Sequence, residues 1–227
     1  MNDNTRAYLA EFIATFGLCF IGAGAICTDA FTGGKVGLVG IAIAHGLALS
    51  MMITVTGYIS GGHVNPAVTL AMMVTRNISV VKGIGYMISQ LLGAVVAGFA
   101  LRAIFSPTVW GAVNLGTPAL NEGVSFMNGI LLEAILTFFL IFVIFGVAVD
   151  PRRPKYLYGF AIGLTITFDI LVGGPLTGAA MNPARTFGPA LAAGFWQNHL
   201  VYWIGPALGA VVAGLVFQNL LMTKAER

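Results

Sequence analysis

The sequence predicts an all-α membrane protein with six transmembrane helices and two shorter helices that enter the membrane halfway. Three observations lead to this prediction. Of the 227 residues, 58% are hydrophobic and only 8% are charged, whereas soluble domains carry about 25% charged residues. Six apolar stretches reach the roughly 20 residues that are needed to cross about 30 Å of hydrocarbon. Several motifs also occur twice, once in each half of the chain.

The predicted elements follow one another in the same order in both halves. The six spans lie at roughly 7–28, 36–58, 82–105, 127–149, 156–173 and 199–222. Two further apolar segments, about 65–75 and 182–193, are too short to span, since ten or eleven helical residues cover roughly 15 Å. Backbone at this depth must be buried in protein or line a water-filled cavity. We therefore expect two re-entrant half-helices.

The basic residues predict the orientation. If the spans alternate, eight basic residues fall on one side of the membrane. These are Arg6, Arg76, Lys82, Arg152, Arg153, Lys155, Lys224 and Arg227. Lys35 and Arg102 fall on the other side, and Arg185 lies beside the second half-helix. Because Lys and Arg concentrate on the cytoplasmic side, we expect a cell-membrane protein with both termini cytoplasmic. The scatter of these residues speaks against nucleic acid as a partner.

The two halves of the chain are copies of each other. The repeated motifs are residues 10–16 (AEFIATF) with 132–138 (LEAILTF), Asn65-Pro66-Ala67 with Asn182-Pro183-Ala184, and residues 92–98 with 208–214 (both LGAVVAG). Repeat one covers about 7–105 and repeat two about 127–222, within a single transmembrane domain at 1–227. Three spans per repeat force the copies into opposite orientations. Inverted repeats place a pathway at their interface, near the midplane.

The repeated Asn-Pro-Ala motif suits a helix start. Asn65 and Asn182 are residue types that accept a bond from a free N–H at a helix cap, and Pro66 and Pro183 suit the first turn. One such motif indicates an ordinary cap. Two copies, each opening a half-helix in an inverted repeat, predict that two N-termini meet at the membrane centre. Each N-terminus carries roughly half a positive charge, and each Asn amide could still donate to water in the lumen.

At this point the chain resembles a known family. Residues 61–69 (GGHVNPAVT) and 181–189 (MNPARTFGP) are similar to the two signature segments of the aquaporin, or major intrinsic protein, family. The resemblance extends from Glu11 to about Leu221. It implies the aquaporin fold, a homotetramer with a separate pore in each subunit, and water as the permeant. The short termini favour a microbial source.

Four positions separate the family's water channels from its glycerol facilitators. They are Thr186, Ala190, Tyr202 and Trp203, and all four resemble the water-channel branch. These positions favour a water channel, and a facilitator for glycerol or urea is the alternative.

The resemblance also implies a four-residue selectivity filter near the outer mouth. Its members are His45, Ile170, Ala179 and Arg185, a set similar to that of plant tonoplast intrinsic proteins. This set implies that small neutral solutes such as ammonia pass with water, although residues 106–125 lack the loop histidine of some ammonia-permeable relatives. The alternatives are an interior histidine at His45 and a loop-holding role for Arg185. An intramembrane Arg is costly without a function.

Four further polar residues are candidates. His63 precedes the first Asn, and its role is either pore lining or loop bracing. Glu11 and Glu133 are repeat-related, and we expect their carboxylates to accept bonds from backbone N–H groups of the re-entrant loops. Asp169, next to the filter, has either a buried hydrogen-bonded role or an effect on the filter through its charge.

Other functional classes fit less well. The sequence shows no nucleophile–base constellation, metal spacing or phosphate loop, so we expect no enzyme, cofactor or metal site. Cys19 and Cys27 fit no metal site, and we expect them to be buried packing residues. A secondary transporter also has inverted repeats and broken helices, but it needs a coupling-ion site. A structural junction protein would show no permeability.

Overall fold

The computed structural model describes residues 1–152 and 156–223, and every regular element in those ranges is helical. The α-helices are α1 (Asp3–Phe31), α2 (Gly37–Ser60), α3 (Pro66–Val74), α4 (Val80–Ile104), α5 (Pro107–Ala112), α6 (Phe126–Ile144), α7 (Tyr158–Thr177), α8 (Pro183–Ala193) and α9 (Val201–Val216). Helices α6 and α9 continue as π-helical turns, Phe145–Val149 and Phe217–Leu221, and a 3-10 turn covers Asn114–Gly116.

Six of these helices are long and apolar enough to cross a membrane: α1, α2, α4, α6 with its π turn, α7, and α9 with its π turn. They confirm the six predicted spans, and α3 and α8 lie where half-helices were expected. The fifth span was predicted too short, because α7 continues through Gly173, Gly174 and Pro175. Membrane helices tolerate Pro and Gly because neighbouring groups satisfy the freed backbone. Gly178, in the left-handed conformation with φ 84°, follows the helix as its cap.

The orientation rests on the basic residues that the structure describes. Arg153, Lys155, Lys224 and Arg227 lie outside the described residues. Arg6, Arg76, Lys82 and Arg152 remain on the side that carries both ends of the six-span bundle.

The repeated LGAVVAG motif brings helices into backbone contact. A Cβ on Gly93 of α4 would lie 2.3 Å from the Phe12 carbonyl oxygen in α1, and a Cβ on Gly209 of α9 would lie 2.1 Å from the Ala134 carbonyl oxygen in α6. Small residues allow such close approach between membrane helices. The motif therefore builds the same tight pair, α1 with α4 and α6 with α9, once in each repeat.

The half-helices lock the two repeats together. Helix α3 of repeat one packs on α9 of repeat two, and α8 packs on α4. At the second crossing, a Cβ on Gly188 would lie 2.2 Å from the Ala94 carbonyl oxygen. Each half-helix is thus held by the opposite repeat, which brings the two Asn-Pro-Ala segments to the interface between the halves.

Candidate functional site: a passage between the repeats

Asn65 and Asn182 cap the two half-helices. The side-chain oxygen of Asn65 accepts a hydrogen bond from the backbone N–H of Ala67 at 2.8 Å. The oxygen of Asn182 accepts from the backbone N–H groups of Ala184 at 3.0 Å and Arg185 at 3.2 Å. A proline follows each Asn in the first helical turn. The local chemistry of the motif therefore starts both helices.

The same two side chains cross-link the repeats. Nδ2 of Asn65 donates to the Met181 carbonyl at 2.8 Å, and Nδ2 of Asn182 donates to the Val64 carbonyl at 2.9 Å. Val64 and Met181 have left-handed backbone, with φ 55° and 51°, which is uncommon for any residue with a side chain. Among the described residues, one of the two hydrogens on each amide is engaged in this way. One hydrogen per Asn, and not the whole amide, is left for a molecule in the lumen.

Glu11 braces the loop before α3. Its Oε1 accepts hydrogen bonds from Ser60 Oγ at 2.6 Å and from the His63 backbone N–H at 2.9 Å. Its Oε2 accepts from the Val64 backbone N–H at 2.7 Å and from Gln90 Nε2 at 2.7 Å. The carboxylate is completely buried. It accepts hydrogen bonds from backbone N–H groups of a loop that is not helical, so these groups have no partner within a helix.

Glu133 holds the second loop in the same way. Its Oε1 accepts from Thr177 Oγ1 at 2.6 Å and from the Ala180 backbone N–H at 3.0 Å. Its Oε2 accepts from the Met181 backbone N–H at 2.7 Å. The buried loops of both repeats therefore depend on one carboxylate each.

Gln90, which donates to Glu11, and four further residues were not identified from the sequence as parts of these braces. Ser60 and Thr177 donate to the two carboxylates, and the hydroxyls of Tyr86 and Tyr202 donate to the Ser60 and Thr177 carbonyls at 2.7 and 2.8 Å. The offsets between the members of each pair, 117 and 116 residues, equal those of the Asn-Pro-Ala and LGAVVAG repeats. A search for polar residues at the repeat offset would have found both pairs.

His63 is both a lining and a bracing residue. Its backbone N–H is held by Glu11, its Nδ1 lies 3.0 Å from Thr69 Oγ1, and its ring meets the edge of the Tyr86 ring at 5.0 Å. It also lines the cavity described below.

Arg185 and His45 are in direct contact in the cavity wall. His45 Nδ1 lies 2.9 Å from the Ile41 carbonyl. Because a carbonyl oxygen only accepts, Nδ1 carries the proton, and Nε2 accepts from Arg185 Nη2 at 3.2 Å. Arg185 Nη1 donates to the Gly116 carbonyl at 3.0 Å. Arg185 is therefore tied both to a long helix and to the 3-10 turn, while its Nε has no hydrogen-bond partner among the described residues.

Ile170 and Ala179 are the other two residues predicted for the filter. Both are buried, and both line the same cavity as His45 and Arg185. Ala179 has left-handed backbone, with φ 43°, so its carbonyl direction is set by the loop that Glu133 holds. Cys19 and Cys27 are packing residues of the apolar core, as predicted.

A narrow cavity connects these groups. The predicted site residues that line it are His45, His63, Asn65, Ile170, Ala179, Asn182 and Arg185. The remaining wall is mainly apolar, with Leu49 and Ile53 from α2 and Ile162 and Ile166 from α7. A second cavity shares His63, Ile53 and Ile162 with it, so the two adjoin at these residues. We refer to the two adjoining cavities as the passage.

Asp169 is buried in α7, and its Oδ2 has no hydrogen-bond partner within residues 1–152 and 156–223. Asp169 also does not line the cavity, whereas its neighbour Ile170 does, because successive helical side chains point in directions about 100° apart.

The fold and the passage define an inverted-repeat membrane protein of the channel class. The family profile described as Major intrinsic protein matches residues 1–217, and the chain belongs to that family. Aquaporin TIP4-4 from Zea mays is 43% identical over 96% of this chain and 88% of its own length. Aquaporin TIP2-1 from Arabidopsis thaliana is 42% identical over 97% of this chain and 89% of its own.

A solved structure shows the same fold. The aquaglyceroporin from Plasmodium falciparum superposes with a TM-score of 0.85, at 26% identity, over 96% of this chain and 97% of that one. The six spans with two half-helices are therefore the aquaporin fold.

Proposed function

We propose that this chain is a passive water channel that also passes small neutral solutes such as ammonia and excludes protons and other ions. One observation carries the proposal. The cavity at which the two half-helices begin is lined by Asn65, Asn182 and Arg185. The relatives named as aquaporins support the water part of the proposal.

Water would cross the centre by exchanging hydrogen bonds with the two asparagines. Each amide has one hydrogen engaged by the opposite loop, and its second hydrogen can reach the oxygen of a passing water. Apolar residues such as Leu49 and Ile166 provide most of the remaining wall. A water molecule thus finds few hydrogen-bonding groups in the wall and can dissociate from each of them readily.

Ions would be rejected by charge. Aquaporin-type pores in general exclude protons and cations with an Arg and with the positive ends of half-helix dipoles. Here Arg185 lines the cavity, and so do Asn65 and Asn182, which cap the N-termini of α3 and α8. Neither Glu11 nor Glu133 lines the cavity, so their charges are not offered to a passing cation.

The filter composition supports permeability to ammonia. Ile170 and Ala179 give the ring two apolar members, and His45 Nε2 is already occupied by Arg185. Ammonia is close to water in size and neutral, so it can use the same donors and acceptors. Ammonium would meet Arg185 and then the two helix N-termini. Glycerol is larger, and the residues typical of facilitators are replaced by Thr186 and Ala190.

The proposal also covers the domain organisation, membrane location and oligomeric state of the channel. We infer a single transmembrane channel domain, in the cell membrane, with both termini cytoplasmic, from the interlocked repeats and the basic residues of one side. We infer a homotetramer with one pore per subunit from the resemblance to the family. The partners are water, small neutral solutes and the lipid bilayer. Neither a cofactor nor nucleic acid forms part of the proposal.

Proteoliposomes provide the test. Liposomes with the purified protein should shrink faster in hyperosmotic sucrose than empty liposomes, and an internal pH dye should report no added proton conductance. In an inward ammonia gradient they should also alkalinise faster, while glycerol and urea enter at nearly the empty-liposome rate. Folded protein that leaves shrinkage unchanged would refute the water channel.

The other permeability measurements distinguish the alternative functions. Rapid glycerol or urea entry would favour a facilitator. Saturable, ion-dependent uptake would favour a secondary transporter. Fast shrinkage with alkalinisation at the empty-liposome rate would leave the water channel standing and refute the ammonia part, together with the reasoning from Ile170 and Ala179.

A further inference from the structure

We propose that Gly22 of α1 is a positioning residue of the filter: its missing side chain provides the seat for the His45 imidazole and thereby fixes Arg185. The inference rests on the proposed function, because it concerns the filter of the same pore. Gly22 is buried in α1 and does not line the cavity itself.

The His45 ring occupies the space that a side chain at position 22 would need. A Cβ on Gly22 would lie 2.4 Å from His45 Cδ2, 2.5 Å from Nε2 and 3.0 Å from Cε1. Non-bonded carbon atoms are most stable at about 3.5–4.0 Å, so the ring would have to retreat by roughly 1 Å or more. All three contacts are to the ring, so one methyl group meets its whole outer edge.

The ring has little room to retreat except into the passage. Leu18, one turn earlier on the same face of α1, lines the cavity, so this face of the helix is directed at the lumen. His45 lies between that face and Arg185, and its Nδ1 is tied to Ile41 of its own helix. A displacement away from α1 therefore moves the imidazole toward the lumen or breaks its bond to the Ile41 carbonyl.

Ala23, the residue after Gly22, packs against Gly116, whose carbonyl is the second hydrogen-bond partner of Arg185. A Cβ on Gly116 would lie 3.0 Å from both Cα and O of Ala23, and Gly116 has φ 68°. Its carbonyl accepts from Arg185 Nη1, while His45 accepts from Nη2. Two consecutive small residues of α1, Gly22 and Ala23, thus seat the two groups that hold the guanidinium.

A shift of this size matters in a single-file pore. A water molecule has a radius of about 1.4 Å, so a wall that moves inward by roughly 1 Å removes a large share of the space for it. We expect Gly22→Ala to lower water permeability per channel several-fold. The matched control is Gly24→Ala on the same helix, whose Cβ would meet only the flexible end of Leu101, at 3.2 Å. It should conduct like the unmodified protein.

Removal of the imidazole distinguishes positioning from general damage. In a His45→Ala background, Gly22→Ala has no ring to displace, so Gly22→Ala/His45→Ala should conduct like His45→Ala alone. Permeability is measured by stopped-flow shrinkage of proteoliposomes, normalised to reconstituted protein, and folding by monodispersity and circular dichroism. If Gly22→Ala yields no folded protein, the double variant should recover it, because the clash is with the ring.

Three results would overturn the inference. They are folded Gly22→Ala with unchanged permeability, a second loss of permeability when Gly22→Ala is added to His45→Ala, and misfolding of Gly22→Ala that His45→Ala does not relieve. Failure of the unmodified protein to conduct water would instead refute the proposed function. The two failures are thus distinguishable in one set of measurements.

Discussion

The substitution Glu133→Gln tests how much the second re-entrant loop depends on its buried carboxylate. The two oxygens of Glu133 accept from Thr177 Oγ1, Ala180 N–H and Met181 N–H at 2.6, 3.0 and 2.7 Å. Glutamine has the same shape but replaces one oxygen by a donor. The hydroxyl of Thr177 can rotate to accept, whereas a backbone N–H cannot. In either amide orientation, the N–H of Ala180 or of Met181 faces another donor.

The expected loss in the free energy of unfolding follows from these hydrogen bonds. One hydrogen bond to a charged group is lost, at about 1.5–3 kcal/mol, and one buried N–H is left unsatisfied, at about 1–3 kcal/mol. The total is about 2.5–6 kcal/mol in the free energy of unfolding. For a chain of this length, each kcal/mol corresponds to roughly 2–4 °C in Tm, so the midpoint should fall by about 10 °C. Because Met181 O is the acceptor of Asn65, the passage should be disturbed as well.

The assay is thermal unfolding in detergent, followed by water flux of the protein that survives reconstitution. Glu122→Gln is the matched control, since it makes the same chemical change in an exposed loop. It should leave both Tm and flux within error of the unmodified protein. A Glu133→Gln protein that melts within about 2 °C of the unmodified protein and conducts normally would refute the bracing role; that shift corresponds to about 1 kcal/mol or less.

Three further outcomes are expected. Low concentrations of mercuric ion should block the unmodified channel weakly and the Ala179→Cys channel strongly. The reason is that Ala179 lines the cavity, whereas the native thiols lie in α1. Strong block of the unmodified channel would contradict this prediction. Ile170→His should lower the ratio of ammonia to water permeability several-fold, because it adds a polar wall to the filter, and an unchanged ratio in the alkalinisation and shrinkage assays would contradict the reasoning. Gly209→Ala should destabilise the fold by about 1–3 kcal/mol or more through overpacking, since its Cβ would meet the Ala134 carbonyl oxygen at 2.1 Å. The control Gly111→Ala, with no described atom within 4 Å of its Cβ, should melt like the unmodified protein.

Membrane insertion made the architecture predictable from sequence. A span must be long and apolar, and a half-span must be short, so hydropathy and length alone indicate six helices and two half-helices. The Asn-Pro-Ala repeats mark two of the helix starts to within a residue, because capping is a local interaction between Asn65 or Asn182 and the next few N–H groups. The end of α7 was misplaced, because neighbouring residues decide whether a helix continues through Gly173 and Pro175.

The left-handed residues were beyond sequence reasoning. Nothing in the local preference of Val64 favours φ 55°, since a β-branched residue is strained there. The conformation persists because Glu11 binds the Val64 N–H and Asn182 binds its carbonyl. Both partners are distant in sequence, so only the assembled repeats can select that backbone.

The sequence by itself determined the membrane class, the inverted repeat, the half-helix starts and the types of residue available to a filter. It did so because hydrophobic length, helix capping and repetition are properties of short segments. Only the tertiary structure decided how Arg185 is held, by Gly116 on one side and His45 on the other, and that the His45 ring lies where a side chain at position 22 would extend. These are contacts between segments far apart in the chain, and such distances exist only once the helices have packed.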